Sequence, residues 1–250
     1  MPAAWVVEER VEHPSSLHAT WPEVDRRPDV RRVAVCRPTA RAVVLGSTQP
    51  SGVVDAGAAA AAGLDVVRRR SGGGAVLVTP DDPVWLDAWV PAGDPLWSAD
   101  VTGAFAWLGA SWAEALDGVG VHGATVQGSG PGACTRWSSL VCFGGVGAGE
   151  VTVDGRKVVG LAQRRDRRGA WFHGACVLHW DPTLLLEVLD LSPGERAAAA
   201  SGLAGVVTGV VDALADATGG TPGFGPSAPE PATVADALAD ALVGALPTSA

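Results

Sequence analysis

The chain has 250 residues, of which 47% are hydrophobic and 18% are charged, and its formal net charge is −9. This length and apolar content predict one large domain with a substantial core, and the acidic balance argues against a general nucleic-acid-binding surface. No run approaches the roughly 20 apolar residues that span a bilayer, and the N-terminus lacks a secretory signal pattern, so we expect a cytoplasmic protein with neither a membrane nor a nucleic acid as partner.

Short runs of β-type sequence dominate the first two thirds of the chain. They lie at residues 30–37, 41–47, 64–69, 75–78, 84–90, 139–143, 150–153, 156–165 and 170–178. Between these runs, helical patterns occur at residues 53–63 and at 98–120, where Ser98 is a candidate N-cap.

After Asp181 the pattern becomes helical, first over residues 182–189 and then from the capping-box pair Ser192 and Glu195 to about residue 217. Residues 219–233 form a Gly/Pro-rich linker, and residues 234–250 contain a last amphipathic helix. We therefore predict an α+β fold with mixed, largely antiparallel sheets flanked by helices, with residues 1–218 as its main domain.

Three consecutive glycines, Gly72, Gly73 and Gly74, follow the arginines at 68–70 and Ser71. A loop without side chains leaves backbone N–H groups accessible, so it can wrap an anionic group or lie against an acyl chain. The preceding arginines would attract a phosphate or a carboxylate. A bare turn and a solvated basic face are the simpler interpretations of these two features.

The only lysine of the chain is Lys157, beside 17 arginines. It follows Asp154-Gly155, a hairpin turn signal, and so should lie early in the outgoing strand. A chain that uses Arg for general positive charge keeps a Lys where a compact ammonium is needed, although chance survival or an edge-strand role would also explain it.

Cys36, Cys134, Cys142 and Cys176 show no CxxC spacing, so we expect free thiols rather than a zinc site or disulfide bridges.

The segments RRxSGGGAV, GRKVVGxAQRR and HGACVL, in this order, resemble the catalytic domain of lipoate–protein ligases and protein octanoyltransferases. The resemblance extends from about residue 31 to residue 208. It implies a fold of the class II biotin/lipoate ligase type. It also implies that a lipoyl or octanoyl group is attached to a lysine of a lipoyl domain, in a 2-oxoacid dehydrogenase or the glycine cleavage H protein.

The same resemblance assigns expected roles to residues. Lys157 matches the lysine that contacts the acyl carboxyl and the adenylate phosphate. The glycine loop matches the lining of the acyl and phosphate pocket, and the matching strands flank the acyl tunnel. The substrate-binding residues implied in this way are Arg68, Arg69, Ser71, Gly72, Gly73, Gly74, Ala75, Glu150, Gly160, Gln163, His173 and Gly174.

Three departures from the family pattern stand out. The glycine loop continues into Val78 and Thr79 where the family has a His-Asp pair, and Gly149-Glu150 replaces an Asn-Asp pair. Glu150 remains a candidate ligand for Mg²⁺ bound with ATP. Residues 219–250 are too few to form the accessory domain that many ligases carry.

The sequence leaves two mechanisms open. The leading interpretation is an ATP-dependent ligase acting through an acyl-adenylate, because Gly74 keeps the ligase form of the glycine loop. The alternative is an octanoyltransferase that needs no cofactor and takes its acyl group from acyl carrier protein onto Cys142, which lies eight residues before Glu150 and fifteen before Lys157. A non-catalytic acyl-binding protein and a biotin ligase are weaker alternatives.

Overall fold

Two β-sheets and eight α-helices make up the described part of the chain, residues 4–217 and 230–248 of a computed structural model. In chain order the strands are β1 (Val6–Glu12), β2 (Arg32–Pro38), β3 (Ala42–Leu45), β4 (Asp65–Arg68), β5 (Val76–Val78), β6 (Val84–Pro91), β7 (Thr125–Val126), β8 (Val151–Val153), β9 (Arg156–Asp166) and β10 (Gly169–Cys176). The helices are α1 (Pro14–Ala19), α2 (Pro22–Arg26), α3 (Ala56–Ala61), α4 (Ala106–Gly118), α5 (Thr183–Val188), α6 (Pro193–Leu203), α7 (Val210–Ala217) and α8 (Pro231–Gly244).

The larger sheet has seven strands in the order β1-β2-β6-β10-β9-β8-β7, and all its pairs are antiparallel except β1 with β2. The smaller sheet has the order β4-β3-β5, with one parallel and one antiparallel pair. The predicted α+β fold with mixed, largely antiparallel sheets is confirmed. Within the described residues, no helix combines the length and the apolar character needed to cross a bilayer.

Both faces of the larger sheet are covered. Successive side chains of a strand point to opposite faces, so Leu86 of β6 packs on the helical layer while Trp85 and Trp89 face the smaller sheet. The helical layer is formed by α4 and α8, and α1 and α2 pack beside the smaller sheet. Burial on both faces explains why all eight residues of β6 are buried and why its sequence is almost continuously apolar.

One predicted strand is wrong, and it lies at the candidate site. The sequence predicts a strand over residues 139–143, but only a single β-bridge joins Val141 to Ala75 before Cys142–Gly144 turns into a short 3-10 helix. The glycine at 144 permits this turn, because a Cβ there would lie 2.9 Å from the Trp137 carbonyl oxygen. In contrast, β1 is a strand of the structure that lies outside all the predicted strands.

Helix boundaries also differ from the prediction. The helix expected over 98–120 becomes regular only at Ala106; before it, Ser98 accepts the Asp100 N–H and Gly103–Phe105 forms a 3-10 turn. The capping box of Ser192 and Glu195 is present, but the expected long helix is interrupted between α6 and α7. Residues 206–208 pair with β9 in this interval, which removes them from any helix.

The C-terminal helix α8 is part of the core and begins inside the segment predicted as a linker. Most of that segment lies outside the described residues. Leu238 and Leu242 of α8 are fully buried, and Ser111 of α4 donates a hydrogen bond to the Ala245 carbonyl. Helix α8 therefore covers part of the helical face of the larger sheet.

Replacing Leu238 with Ala should lower the free energy of unfolding by about 2–5 kcal/mol, because it leaves a cavity between α8 and the core. Val101→Ala is the control, since Val101 is 55% exposed and its truncation should change stability by less than about 0.5 kcal/mol. Urea denaturation of both variants measures the difference. Equal stabilities would show that α8 does not belong to the folded core.

Candidate active site

The backbone of Lys157 is fixed on both sides. Asp154 and Gly155 have positive φ angles of 49° and 75°, which confirms the tight turn that opens β9. The Lys157 N–H donates to the Val206 carbonyl, and its own carbonyl accepts from the Thr208 N–H. Lys157 is therefore held by a neighbouring segment as well as by its own hairpin.

The ammonium group of Lys157 is buried, with a side-chain exposure of 1%, and it has three oxygen partners. Nζ lies 2.9 Å from the carbonyl oxygen of Cys142, 2.9 Å from that of Gly145, and 2.6 Å from Oε2 of Glu150. Two of its three N–H donors therefore form hydrogen bonds with carbonyls, and its charge is paired with Glu150. The expected contact with a substrate carboxyl stays a prediction, and it would require one of these partners to be exchanged.

Glu150 completes this arrangement. Its Oε2 also accepts the Gly147 N–H at 2.6 Å, and its Oε1 accepts the Leu161 N–H at 3.0 Å. Both oxygens are bonded within the protein and the side chain is 8% exposed, so binding of Mg²⁺ by Glu150 would require this arrangement to change. No group of three or more His, Cys, Asp or Glu side chains that could hold a metal occurs in residues 4–217 and 230–248.

The turn that carries Cys142 is thus held by hydrogen bonds from Lys157 and from the backbone of Ala75. Lys157 bonds the carbonyls at both ends of residues 142–145, and the Cys142 N–H donates to the Ala75 carbonyl at 2.9 Å. Ala75 in turn donates to the Leu140 carbonyl at 2.8 Å. Cys142 is half-buried and lines an apolar cavity.

The glycine loop supports the same turn. A Cβ on Gly74 would lie 2.5 Å from the Val141 carbonyl carbon and 2.7 Å from the Cys142 nitrogen, so only glycine allows the two backbones to approach. Gly73 has a φ of +103°, and a Cβ there would meet Arg69 at 2.7 Å. Gly72 faces open space. Gly74 is therefore required by packing, and Gly73 by its backbone conformation.

The two predicted arginines bond backbone carbonyls. Arg69 is buried, and its guanidinium donates to the carbonyls of Val44, Gly72 and Gly74, which fixes the loop from inside. Arg68 donates to the carbonyls of Gly46 and Gln49 and does not line the cavity. The Ser71 hydroxyl is buried without a partner among the described residues. An anion-binding role for these side chains stays a prediction.

The cavity beside Cys142 lies between the two sheets, is open to solvent and has a volume of about 50 Å³. Gly160 and Ala175 are paired on β9 and β10, as are Ala162 and His173, and all four line the cavity. Val76 and Val78 of β5 line it from the smaller sheet. Gly160 lies beside the Lys157 side chain, and a Cβ there would be in ordinary van der Waals contact with Lys157 Cε at 3.5 Å.

Away from Cys142, the cavity wall contains two histidines, only one of which the sequence indicated. Nδ1 of His173 lies 2.6 Å from Oδ1 of Asp87, which is fully buried and also accepts the indole N–H groups of Trp85 and Trp171. Burial alone would raise the pKa of Asp87, but the charge and hydrogen bond of His173, with the Trp85 bond, outweigh it and lower the pKa.

His18 of α1 stacks on Trp85 with ring centroids 4.3 Å apart, and neither ring nitrogen has a partner among the described residues. Burial, reinforced by the charge of His173, lowers the pKa of His18 to about 3. His18 is therefore uncharged near neutral pH, which suits an uncharged ligand. Nothing in the six-residue helix α1 identified it from sequence, whereas Asp87 could have been noticed as one carboxylate within an apolar strand.

Two predicted residues have other contacts. Gln163 donates to the Val101 carbonyl and does not line the cavity. Gly174 lines the cavity, and a Cβ there would lie 2.6 Å from the indole nitrogen of Trp112, so it permits close packing on the helical layer.

Comparison with known proteins gives a consistent result. A family model described as the lipoyl protein ligase A/B catalytic domain matches residues 20–242. The octanoyltransferase LipM of Kyrpidia tusciae is 34% identical over 145 residues, which are 57% of this chain and 52% of that protein. The chain therefore matches about half the length of this curated relative.

Solved structures with the same fold include a lipoate-protein ligase A bound with ATP, at a TM-score of 0.63 and 17% identity, covering 98% of this chain and 84% of that one. LipL1 of P. falciparum in complex with lipoate has a TM-score of 0.61 and 13% identity, covering 97% and 61%. A bipartite lipoate protein ligase of Thermoplasma acidophilum, solved with its E2 lipoyl domain, has a TM-score of 0.59 and 16% identity, covering 96% and 82%. At these identities the likeness concerns the fold.

Replacing Lys157 with Met should destabilise the protein by about 3–5 kcal/mol, because it leaves the carboxylate of Glu150 buried without its partner. The double variant Lys157→Met/Glu150→Gln contains no buried charge at this point and should recover at least about 1 kcal/mol of that loss. Urea denaturation of the two variants measures both effects.

The matched control is Arg156→Met. Arg156 adjoins Lys157 in β9, but its ion pair with Asp216 is solvent-accessible, with side-chain exposures of 29% and 41%, so its loss should cost no more than about 1 kcal/mol. If Lys157→Met were no more destabilising than this control, the buried ion pair would not stabilise the site.

Proposed function

Because the chain belongs to the lipoyl protein ligase A/B catalytic-domain family, we propose that it is an octanoyltransferase that carries the acyl group on Cys142. The donor is a thioester of acyl carrier protein, and the acceptor is a lysine of a lipoyl domain in a 2-oxoacid dehydrogenase or the glycine cleavage H protein. The observation that carries the proposal is the position of Cys142, whose side chain lines an apolar cavity while Lys157 holds its turn.

The reaction has two steps. In the first, the sulfur of Cys142 attacks the thioester carbonyl. A new sulfur–carbon bond forms, the donor's carbon–sulfur bond breaks, and the departing thiolate receives the proton that the Cys142 thiol gave up. In the second, the acceptor's amine attacks the acyl-enzyme. The amide bond forms, the Cys142 sulfur–carbon bond breaks, and the proton released from the amine returns to the Cys142 sulfur.

Lys157 acts as a positioning residue in this mechanism. Its ammonium bonds the carbonyl of Cys142 itself, so the backbone that supports the reacting sulfur cannot shift without breaking a charge-assisted hydrogen bond. The compact head group fits between Glu150 and two carbonyls, with Gly160 alongside. The planar guanidinium of an arginine would not match these three directions.

The second candidate is the ATP-dependent ligase that the sequence favoured. Its specific support is Gly74, which keeps the ligase form of the glycine loop. This glycine is also needed for packing, whichever mechanism applies, since any Cβ would collide with the Val141 and Cys142 backbones. Lys157 and Glu150 are paired with each other and bonded to the backbone, so holding a phosphate or Mg²⁺ would require them to exchange these partners.

The protein should form a covalent adduct on Cys142. Incubation with octanoyl carrier protein alone should add one octanoyl mass as a hydroxylamine-labile thioester, measured by intact-protein mass spectrometry. Cys142→Ala should abolish both the adduct and transfer to an apo lipoyl domain, because Cys142 is the one thiol or hydroxyl among the described residues that line the cavity. Cys134→Ala is the matched control and should keep both, since Cys134 is an exposed free thiol.

Full lipoylation by Cys142→Ala in the presence of lipoate and ATP would overturn the transferase and establish the ligase.

Replacing Lys157 with Arg should lower kcat/KM for transfer by roughly 10² or more, because the larger, flatter head group displaces the Cys142 turn. Arg156→Lys, at the adjacent strand position, should stay within about threefold of the unchanged protein, since its ion pair is solvent-accessible. Activity of Lys157→Arg close to that of Arg156→Lys would show that the ammonium geometry is not needed.

A further inference from the structure

The larger sheet ends on one side in a strand with an open edge. β1 is seven residues long, and β2 is its only strand partner among the described residues. The other edge strands, β4, β5 and β7, have four, three and two residues. β1 is therefore the edge at which a further strand can add over the greatest length.

The hydrogen bonds to β2 identify which backbone groups of β1 are free. The Val6 N–H donates to the Arg31 carbonyl, and at the other end of the strand the Glu12 carbonyl accepts from the Thr39 N–H. Since the backbone groups of successive residues point to opposite edges of a strand, the even-numbered residues of β1 bond β2. The N–H and carbonyl groups that point to the open edge belong to Val7, Glu9 and Val11.

The side chains of these residues form a pattern that is symmetric about Glu9. Val7 and Val11 lie two positions to either side of it and are 52% and 60% exposed. An antiparallel copy of β1, related by a two-fold axis at Glu9, places Val7 opposite Val11 of the second copy and Val11 opposite its Val7. Each of these positions has free backbone groups on both copies, so the same register forms the hydrogen bonds and buries the exposed valines.

The charges of β1 agree with this register. The same axis places Glu8 opposite Arg10 of the second copy, which is a favourable pair of opposite charges. The two Glu9 side chains meet at the axis, but each carboxylate is paired with Arg37 at 2.7 Å, which offsets their repulsion. β1 contains neither Pro nor Lys, the residues that commonly prevent pairing at an open edge.

We propose that two copies of the protein associate through β1, antiparallel and about a two-fold axis at Glu9, so that their larger sheets become one continuous sheet. The partner is a second copy because the strand is its own complement, which is the requirement of a two-fold interface. Association stops at the dimer, since the outer edges of the joined sheet are then the two β7 strands of two residues each. This inference does not depend on the reaction at Cys142.

Sedimentation velocity at protein concentrations from roughly 1 to 500 μM tests the association. The unchanged protein should form a dimer whose fraction rises with concentration. Val7→Lys/Val11→Lys should raise the dimer Kd about tenfold or more, because it places like charges directly opposite each other. Val66→Lys is the matched control, since Val66 is a 45% exposed valine of the edge strand β4, and it should leave the Kd unchanged.

Val7→Pro gives a second variant in case the lysine variant fails to fold. It removes an N–H that points to the open edge and keeps the bonds to β2, so it should also weaken the dimer about tenfold or more. In the unchanged protein, hydrogen exchange of the Val7, Glu9 and Val11 amides should slow as the concentration rises, whereas exchange of the Glu8 and Arg10 amides should not change.

The inference is overturned if the unchanged protein is a monomer at every concentration, or if the folded β1 variants dimerise as tightly as Val66→Lys. It is also overturned if a dimer forms while exchange of the Val7, Glu9 and Val11 amides is independent of concentration, because the copies would then meet at another surface.

Discussion

The site depends on one buried ion pair. Lys157 and Glu150 lie 2.6 Å apart with side-chain exposures of 1% and 8%, and such a pair persists only when its remaining polar atoms are also bonded. Two backbone carbonyls accept hydrogen bonds from the lysine, and two backbone N–H groups donate hydrogen bonds to the glutamate. These bonds join β9 to the turn that carries Cys142. The position of a single sulfur atom thus follows from the need to satisfy two buried charges.

The glycine loop meets this turn from the opposite sheet. Gly74 allows backbone contact with Cys142, and Arg69 holds the loop by bonding its carbonyls. The apolar cavity then lies between the sheets, with an uncharged His18 and the bonded His173 in its wall. Arg69 also lines the cavity, but its guanidinium is bonded to the carbonyls of Val44, Gly72 and Gly74, and the rest of the wall is mostly apolar, which suits an acyl chain. The proposed thioester chemistry fits this environment better than a reaction that needs bound ATP and a metal.

Local rules predicted the parts of the site that depend on neighbouring residues in the chain. The turn at Asp154-Gly155 and its alignment of Lys157, like the capping box at Ser192, follow from short sequence patterns. The strand predicted over residues 139–143 is wrong at Cys142, where the chain turns and its carbonyl accepts a hydrogen bond from Lys157, fifteen residues later. The same limit applies to His18, whose place in the cavity wall arises from packing between distant elements. Sequence patterns contain no information on such long-range partners.

The central claim, that Cys142 holds the acyl chain in the cavity between the sheets, can be tested most directly by a crystal structure of the protein after incubation with octanoyl-pantetheine. The account predicts continuous electron density from the Cys142 sulfur into the space lined by Val78, Ala162 and His173, with the bonds of Lys157 to the Cys142 and Gly145 carbonyls intact. An acyl group bound without a covalent link, its carboxylate on Lys157 and the Cys142 thiol free, would contradict it.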